Sequence, residues 1–351
     1  MHPSVLPRPH KFLPSTSSME ITAAEWAQFL EDKPEIHILQ SLEWGELKRN
    51  YGWHPVYVVE GDTGAQILFR SLPLGLTIAY IPKGPVGIPD CHFWKSVDAV
   101  CRKHHAIFLK VEPDSWECKS EGWWEDASEE WVTSDTIQPR QTIVIPLDGD
   151  EQEWLSRMSQ KTRYNVRLAQ KKDVQVIASD DISSFHQLMQ VTGQRDEFGV
   201  HSLAYYQDAY RHFSTAGNCV LLAATYSGRW LAALMAFRRG SQAWYFYGAS
   251  SDEERNRMPT YLLQWEAMKW AATCGCKTYD LWGVPDVPEQ DLEENFTRRS
   301  DGLWGVYRFK RGFGGMLMRS IGAWDRVYKG GLYRLYQLYR RRNGGQIAHS
   351  Q

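Results

Sequence analysis

The chain has 351 residues, of which 43% are hydrophobic and 23% charged, room for two cores of ordinary domain size. A formal net charge of −2 excludes a global field drawing it to nucleic acid, so any anion site must be a local patch. No run approaches the ~18 apolar residues of a membrane span, and the Pro- and Ser-rich residues 1–18 lack the apolar stretch of a signal peptide. A cytoplasmic protein, with peripheral membrane contact as the furthest extension, is the expectation.

Residues 1–18 read as disordered. Thr22-Ala-Ala-Glu25 is a capping box that opens a short helix through Leu30. An extended piece ends at Leu39, and Ser41 starts a helix carrying Trp44 and Lys48 on one face. Strands are predicted over 56–59, 65–72 and 76–81, a helix over 93–104 and a buried strand over 106–111, ending in Glu112-Pro113. Segments 131–138 and 141–146 close this half. Asp148-Gly149-Asp150 is the best linker candidate. The expected division is therefore 19–149 for a first domain, completed by 320–351, and 150–319 for a second.

A long helix is predicted over 151–172. Trp154, Met158 and Val166 share its apolar side, and Arg163, Arg167 and Lys171 form a cationic stripe at helical period. A strand at 174–177 and helices at 180–193 and 203–213 follow. A three-strand meander comes next, over 220–225, 231–237 and 243–247. Pro259 suits the first turn of a helix to Thr273, with Gly275 as its cap. Residues 278–282 form a strand, 285–299 an acidic loop, and 328–342 a basic, aromatic helix. That last helix is expected to pack onto the first domain with its basic tip exposed; RNA and an anionic membrane surface are the alternatives. Six Cys, at 91, 101, 118, 219, 274 and 276, form no C-x-x-C pair and read as reduced, mostly buried thiols. His104-His105 reads as a surface pair on a helix end rather than a metal site.

Both halves run meander, helix, strand, the order of the N-acetyltransferase-like fold. The expected class is α/β (α+β): tandem GNAT-like domains with a cleft between them. Coenzyme A enzymes of that fold cradle pyrophosphate in a Gly-rich turn at the helix start after the meander. Here Asp252-Glu-Glu-Arg-Asn-Arg-Met-Pro259 has no glycine and is bulky and charged, which argues against an acyl-CoA donor.

Tyr307-Arg308-Phe309-Lys310-Arg311-Gly312-Phe313-Gly314-Gly315 sets three cations among aromatics before a glycine turn. Such a turn suits a phosphate, a carboxylate or a developing oxyanion; a solvated basic strand end is the competing reading. Together with Gln40 to Trp44 and Lys48, Lys161 to Lys171, Arg195-Asp-Glu-Phe198, Tyr245 to Ala249, Pro259 to Trp265 and Tyr279-Asp280-Leu-Trp-Gly283, it forms an ordered set over about residues 38–325. In that set the sequence resembles the Fem-type (FemABX) aminoacyltransferases that build peptidoglycan cross-bridges, in a compact type without the coiled-coil arm.

The resemblance implies transfer of an amino acid from aminoacyl-tRNA, as co-substrate and without metal or other cofactor, to an amine of a nucleotide- or lipid-linked muropeptide. It places Lys310 against the tetrahedral oxyanion, with Phe309 as a wall. Lys48, Arg195 and Tyr247 fall where the family holds the acceptor's phosphates, and Arg311 joins them from the basic turn. Glu112 falls where the family often has an acid. Each has a plainer alternative: a surface lysine, core packing, a local ion pair, a packed strand aromatic, a solvated strand end. Lys161, Arg163, Arg167 and Lys171 are candidates to grip tRNA phosphates, a solvated helix face being the alternative. Asn165 is expected to bond to backbone. No Cys-His or Ser-His constellation stands at a readable spacing, so direct aminolysis is expected. Two other functions stay open: a GNAT-fold acyltransferase on an exopolysaccharide or protein amine, and a non-catalytic binder of anionic glycolipid precursors.

Overall fold

The structure is a computed structural model and describes residues 20–119 and 131–342; the expected disorder of 1–18 lies outside them. The first half comprises β1 (Glu20–Ile21), α1 (Ala23–Glu31), α2 (Leu42–Arg49), β2 (Trp53–Glu60), β3 (Thr63–Ser71), β4 (Thr77–Pro82), α3 (Cys91–Lys103), β5 (Ala106–Glu112) and β6 (Trp131–Ser134). Then come β7 (Gln141–Pro146), α4 (Glu151–Arg157), α5 (Gln160–Lys171), β8 (Gln175–Ser179), α6 (Ile182–Asp196), α7 (Leu203–Ser214), β9 (Cys219–Tyr226), β10 (Arg229–Arg239) and β11 (Gln242–Ser250). The chain continues through α8 (Pro259–Thr273), β12 (Thr278–Gly283), α9 (Glu289–Asn295), α10 (Trp304–Lys310), β13 (Met316–Arg319), β14 (Ala323–Val327) and α11 (Gly330–Arg342).

Local chemistry sets many of these boundaries. Thr22 and Glu25 close a reciprocal capping box on α1, and the Ser41 hydroxyl accepts from the amide of Trp44 at the start of α2. The single helix expected over 151–172 is two. Met158 takes extended angles, and Ser159 caps a new helix by accepting from the amide of Thr162. The Arg163 guanidinium folds back onto the carbonyls of Leu155, Ser156 and Met158, satisfying the end of α4. The acidic stretch 285–299 is likewise not all loop, since α9 lies within it.

Two seven-stranded sheets result, ordered β1-β2-β3-β4-β5-β14-β6 and β13-β7-β12-β11-β10-β9-β8. In each, an antiparallel meander leads through a helix to a parallel neighbour: β4 with β5, and β11 with β12. Each sheet then takes a strand from outside its own run. β7 pairs with β12 in the second sheet, and β14 pairs with β5 and β6 in the first. The crossing between sheets thus falls between Ser134 and Gln141. Asp148-Gly149-Asp150, expected as the linker, instead leads from β7 into α4, with Asp150 as the helix cap.

The second half has one core of its own, the first half has a main core and two smaller clusters, and a further core is shared. Ile38, Leu39, Trp44, Leu47, Leu68 and Tyr80 of the first half pack with Tyr205, Tyr206, Phe213, Phe237 and Trp244 of the second. Of the cysteines, Cys101, Cys219 and Cys276 are buried, whereas Cys91 and Cys118 are exposed, contrary to the mostly buried set expected.

A candidate active-site cleft between the sheets

A cleft of about 530 Å³ opens along that shared core, walled by α2 and β2–β4 on one side and by α7, β11 and the end of β12 on the other. Its floor is the crossing segment, residues 136–140. Lys48 enters from α2. Its ammonium donates to the Tyr205 hydroxyl (3.1 Å), which lies 3.2 Å from the Tyr247 hydroxyl. The same ammonium stands over the rings of Trp44 and Tyr205, at 4.9 and 5.0 Å. The aromatic faces hold the cation in place while leaving it half-buried at the cleft wall. His201 stacks on Tyr205 at 3.9 Å. Burial, and then the Lys48 charge, lower its pKa to about 4, so it faces the cleft as a neutral ring.

Lys310 arrives from behind the opposite wall. Its segment is the end of a helix followed by a 3-10 turn, not a strand end. The side chain is 5% exposed. Its ammonium donates to the carbonyls of Trp282 (3.0 Å) and Gly283 (2.9 Å) and stands 5.5 Å from the centre of the Tyr245 ring; among the described residues its third N–H has no hydrogen-bond partner. Burial drives its pKa down to about 7, against the pull of Asp280. Asp280 accepts from the amide of Trp282 at 2.6 Å and from the Thr142 hydroxyl. Trp282, whose ring lines the cleft, is therefore gripped at both ends of its residue, and it sits at φ 61°, which a bulky side chain rarely adopts.

The remaining expected residues lie elsewhere. Glu112 is buried, with its pKa raised by burial. It accepts from the amides of Ile137 and Gln138 and from the Tyr80 hydroxyl, so it anchors the cleft floor rather than facing solvent. Arg195 is held by Asp196 (2.8 Å), Asp252 (3.0 Å) and the Ser250 carbonyl, the local ion pair that was its plainer alternative. Arg311 pairs with Glu293 and stacks over Phe296. Phe309 packs against Tyr261 and Phe313, as core. Of the tRNA candidates, Lys161, Arg167 and Lys171 are exposed, whereas Arg163 is occupied with carbonyls. Asn165 is buried and its Nδ2 has no hydrogen-bond partner among the described residues, where a backbone bond was expected.

The sequence reading gave no sign of His201 or Tyr205, and assigned Trp282 no role beyond its place in Tyr279-Asp280-Leu-Trp-Gly283, because nothing in their spacing separates them from packed aromatics. It also passed over Lys83, at the end of β4, which is 5% exposed. Lys83 makes no hydrogen bond or ion pair among the described residues; it stands over the Trp116 ring at 5.4 Å, and its charge pulls down on the pKa values of Glu112 and Asp280, which burial raises. Among the described residues no group of His, Cys, Asp and Glu is arranged to hold a metal ion.

Comparison with known proteins accords with this architecture. The chain is 26% identical, over 405 aligned positions, to the lipid II:glycine glycyltransferase of Staphylococcus haemolyticus, covering 91% of this chain and 94% of that protein. The aligned positions outnumber the residues of this chain, so the relative carries insertions that it lacks. The solved structure of FemX superposes with a TM-score of 0.80 at 24% identity, covering 91% of this chain and 99% of FemX. A tandem GNAT protein from the clavulanic acid biosynthesis pathway superposes at 0.52 with 11% identity, covering 87% and 94%. These two likenesses establish the tandem GNAT-like fold. The model of the FemAB family matches residues 21–130, 124–227 and 223–341, and the chain belongs to that family.

Proposed function

We propose that this protein transfers an amino acid from aminoacyl-tRNA to an amine of a peptidoglycan precursor, and that the acceptor is lipid-linked. Aminoacyl transfer in peptidoglycan bridge synthesis follows from the family and its glycyltransferase relatives; the lipid-linked acceptor is favoured by their name, lipid II:glycine glycyltransferase. One observation carries the reading: one cleft has the Lys48 ammonium on one wall and, behind the other, the Lys310 ammonium, whose third N–H has no hydrogen-bond partner among the described residues.

In this reading Lys48, with Tyr205 and Tyr247, holds the acceptor's phosphates by charge and hydroxyl donors. The acceptor amine attacks the carbonyl carbon of the ester. The C–N bond forms, the C–O bond to the tRNA ribose breaks, and the proton lost by nitrogen ends on the ribose oxygen. Lys310 offers its remaining N–H to the tetrahedral oxyanion. No enzyme nucleophile takes part, so transfer is one aminolysis. The exposed Lys161, Arg167 and Lys171 are the tRNA phosphate candidates that keep that role.

The test supplies radiolabelled amino acids on their tRNAs, with lipid-linked and nucleotide-linked muropeptides as acceptors. Label from charged tRNA in the lipid-linked product is expected. Label from acyl-CoA alone, or tight muropeptide binding without turnover, overturns the reading.

A further inference from the structure

Helix α11 packs by one face only. Tyr333 and Tyr336 set their rings 5.2 and 5.1 Å from Phe108, and the Tyr333 hydroxyl donates to Asp325 at 2.9 Å. At helical period, positions 332, 335, 338 and 339 fall away from that contact. They hold Leu332, Leu335, Leu338 and Tyr339, and Leu335 and Leu338 are 63% and 58% exposed. Flanking them are Arg334, Arg341 and Arg342, all exposed, and the helix contains no acidic residue. A folded chain ordinarily turns such leucines inward. Nearby, the β3–β4 turn raises Leu74, 95% exposed at φ 64°, between Leu72 and Leu76, which pack in the same cluster as Tyr333 and Tyr336.

The cluster on which α11 packs reaches the cleft. Trp53 packs in the cluster under α11 and also lines the cleft, so one side chain joins the two. We propose that α11, with the β3–β4 turn, is a docking surface for an anionic lipid bilayer, its leucines entering the acyl boundary and its arginines pairing with lipid phosphates. The inference rests on the lipid-linked acceptor argued above. A precursor anchored in the bilayer then presents its head group to a cleft mouth held at the same surface. Arginines alone would equally suit RNA; a row of exposed leucines among them suits the interface between water and acyl chains. No described helix is long and apolar enough to cross a membrane, so the contact lies in the surface plane.

The test is sedimentation of the full chain with vesicles of phosphatidylglycerol and phosphatidylcholine, compared with phosphatidylcholine alone. The wild type partitions onto the anionic vesicles. Leu335→Glu/Leu338→Glu lowers that partition by about tenfold or more, since two leucine side chains no longer leave water. Arg341→Gln/Arg342→Gln lowers it by about fivefold per arginine and flattens its salt dependence. Both variants keep wild-type turnover on a lipid-free muropeptide and lose it on a lipid-linked one embedded in vesicles. Failure of the wild type to sediment, or equal sedimentation of the leucine variant, overturns the proposal. So does a tRNA affinity or a dimerisation constant that the leucine pair controls in place of vesicle binding. If the wild type sediments as described yet labels neither acceptor, the transferase reading fails and the surface stands.

Discussion

Trp282 shows how a residue can be held where its own preferences would not put it. A non-glycine residue in the left-handed region costs about 1–3 kcal/mol, and it persists only where surrounding contacts over-determine it. Here Asp280 takes its amide and Lys310 its carbonyl. Lys310 thus fixes the cleft wall, and in the mechanism proposed above it also offers a donor to the oxyanion. Lys310→Met is expected to lower kcat by about 10²–10³-fold, as loss of an oxyanion donor does, with the acceptor KM changed little. Lys48→Met is expected to raise the acceptor KM about tenfold and leave kcat nearly unchanged. Steady-state kinetics separates these, and equal effects on both constants would remove the division of roles.

The depressed pKa of Lys310 also makes a stability prediction. The folded state holds it near 7, while the unfolded chain returns it to its ordinary 10.5. Between those values the unfolded state binds the extra proton. The contribution to stability is therefore present above about 10.5 and is lost as pH falls through 10.5 toward 7. Wild type minus Lys310→Met, measured by urea unfolding, should change across that window by up to ~1.4 kcal/mol per pH unit. A flat difference would mean the ammonium is not desolvated as the structure has it.

Among the elements, the break between α4 and α5 changes the meaning of a charge pattern. The stripe at positions 163, 167 and 171 has perfect helical period, yet Arg163 terminates the preceding helix instead of facing solvent. Its removal leaves carbonyls short of a donor, a loss of about 1–3 kcal/mol. Arg163→Ala is thus expected to lower the unfolding free energy by that amount without changing tRNA affinity. Lys161→Ala/Arg167→Ala/Lys171→Ala should weaken tRNA binding and reduce the slope of log affinity against log salt, with stability little altered. Filter binding across a salt series checks both, and a tRNA effect confined to Arg163→Ala would reverse the assignment.

Across the whole molecule, the two halves are tied by exchange. After β6 the chain leaves the first sheet to place β7 in the second, and after β13 it returns to place β14 in the first. The shared core and the links from Asn50 and Tyr51 to Asp208 add to this. Neither sheet can be completed while the other half is unfolded. Calorimetry should therefore show a single transition with equal calorimetric and van't Hoff enthalpies. Two resolved transitions would show that the exchanged strands do not couple the halves.

The sequence by itself determined most elements, their order and the tandem fold, because capping residues, turn glycines and hydrophobic period act over a few neighbours. Ser41 starting α2, Pro259 opening α8 and Lys48 lying on the same helical face as Trp44 were all legible for that reason. Tertiary structure decided what pairing across long separations decides. β7 belongs with β12, more than a hundred residues away, and no local signal distinguishes it from a last strand of the first sheet. Likewise Arg195 and Arg311 met carboxylates, and Glu112 met backbone amides, so three charged side chains readable as ligand contacts are satisfied within the fold. A side chain's charge is written in the sequence; whether that charge is left for a substrate depends on which partners the folded chain brings to it.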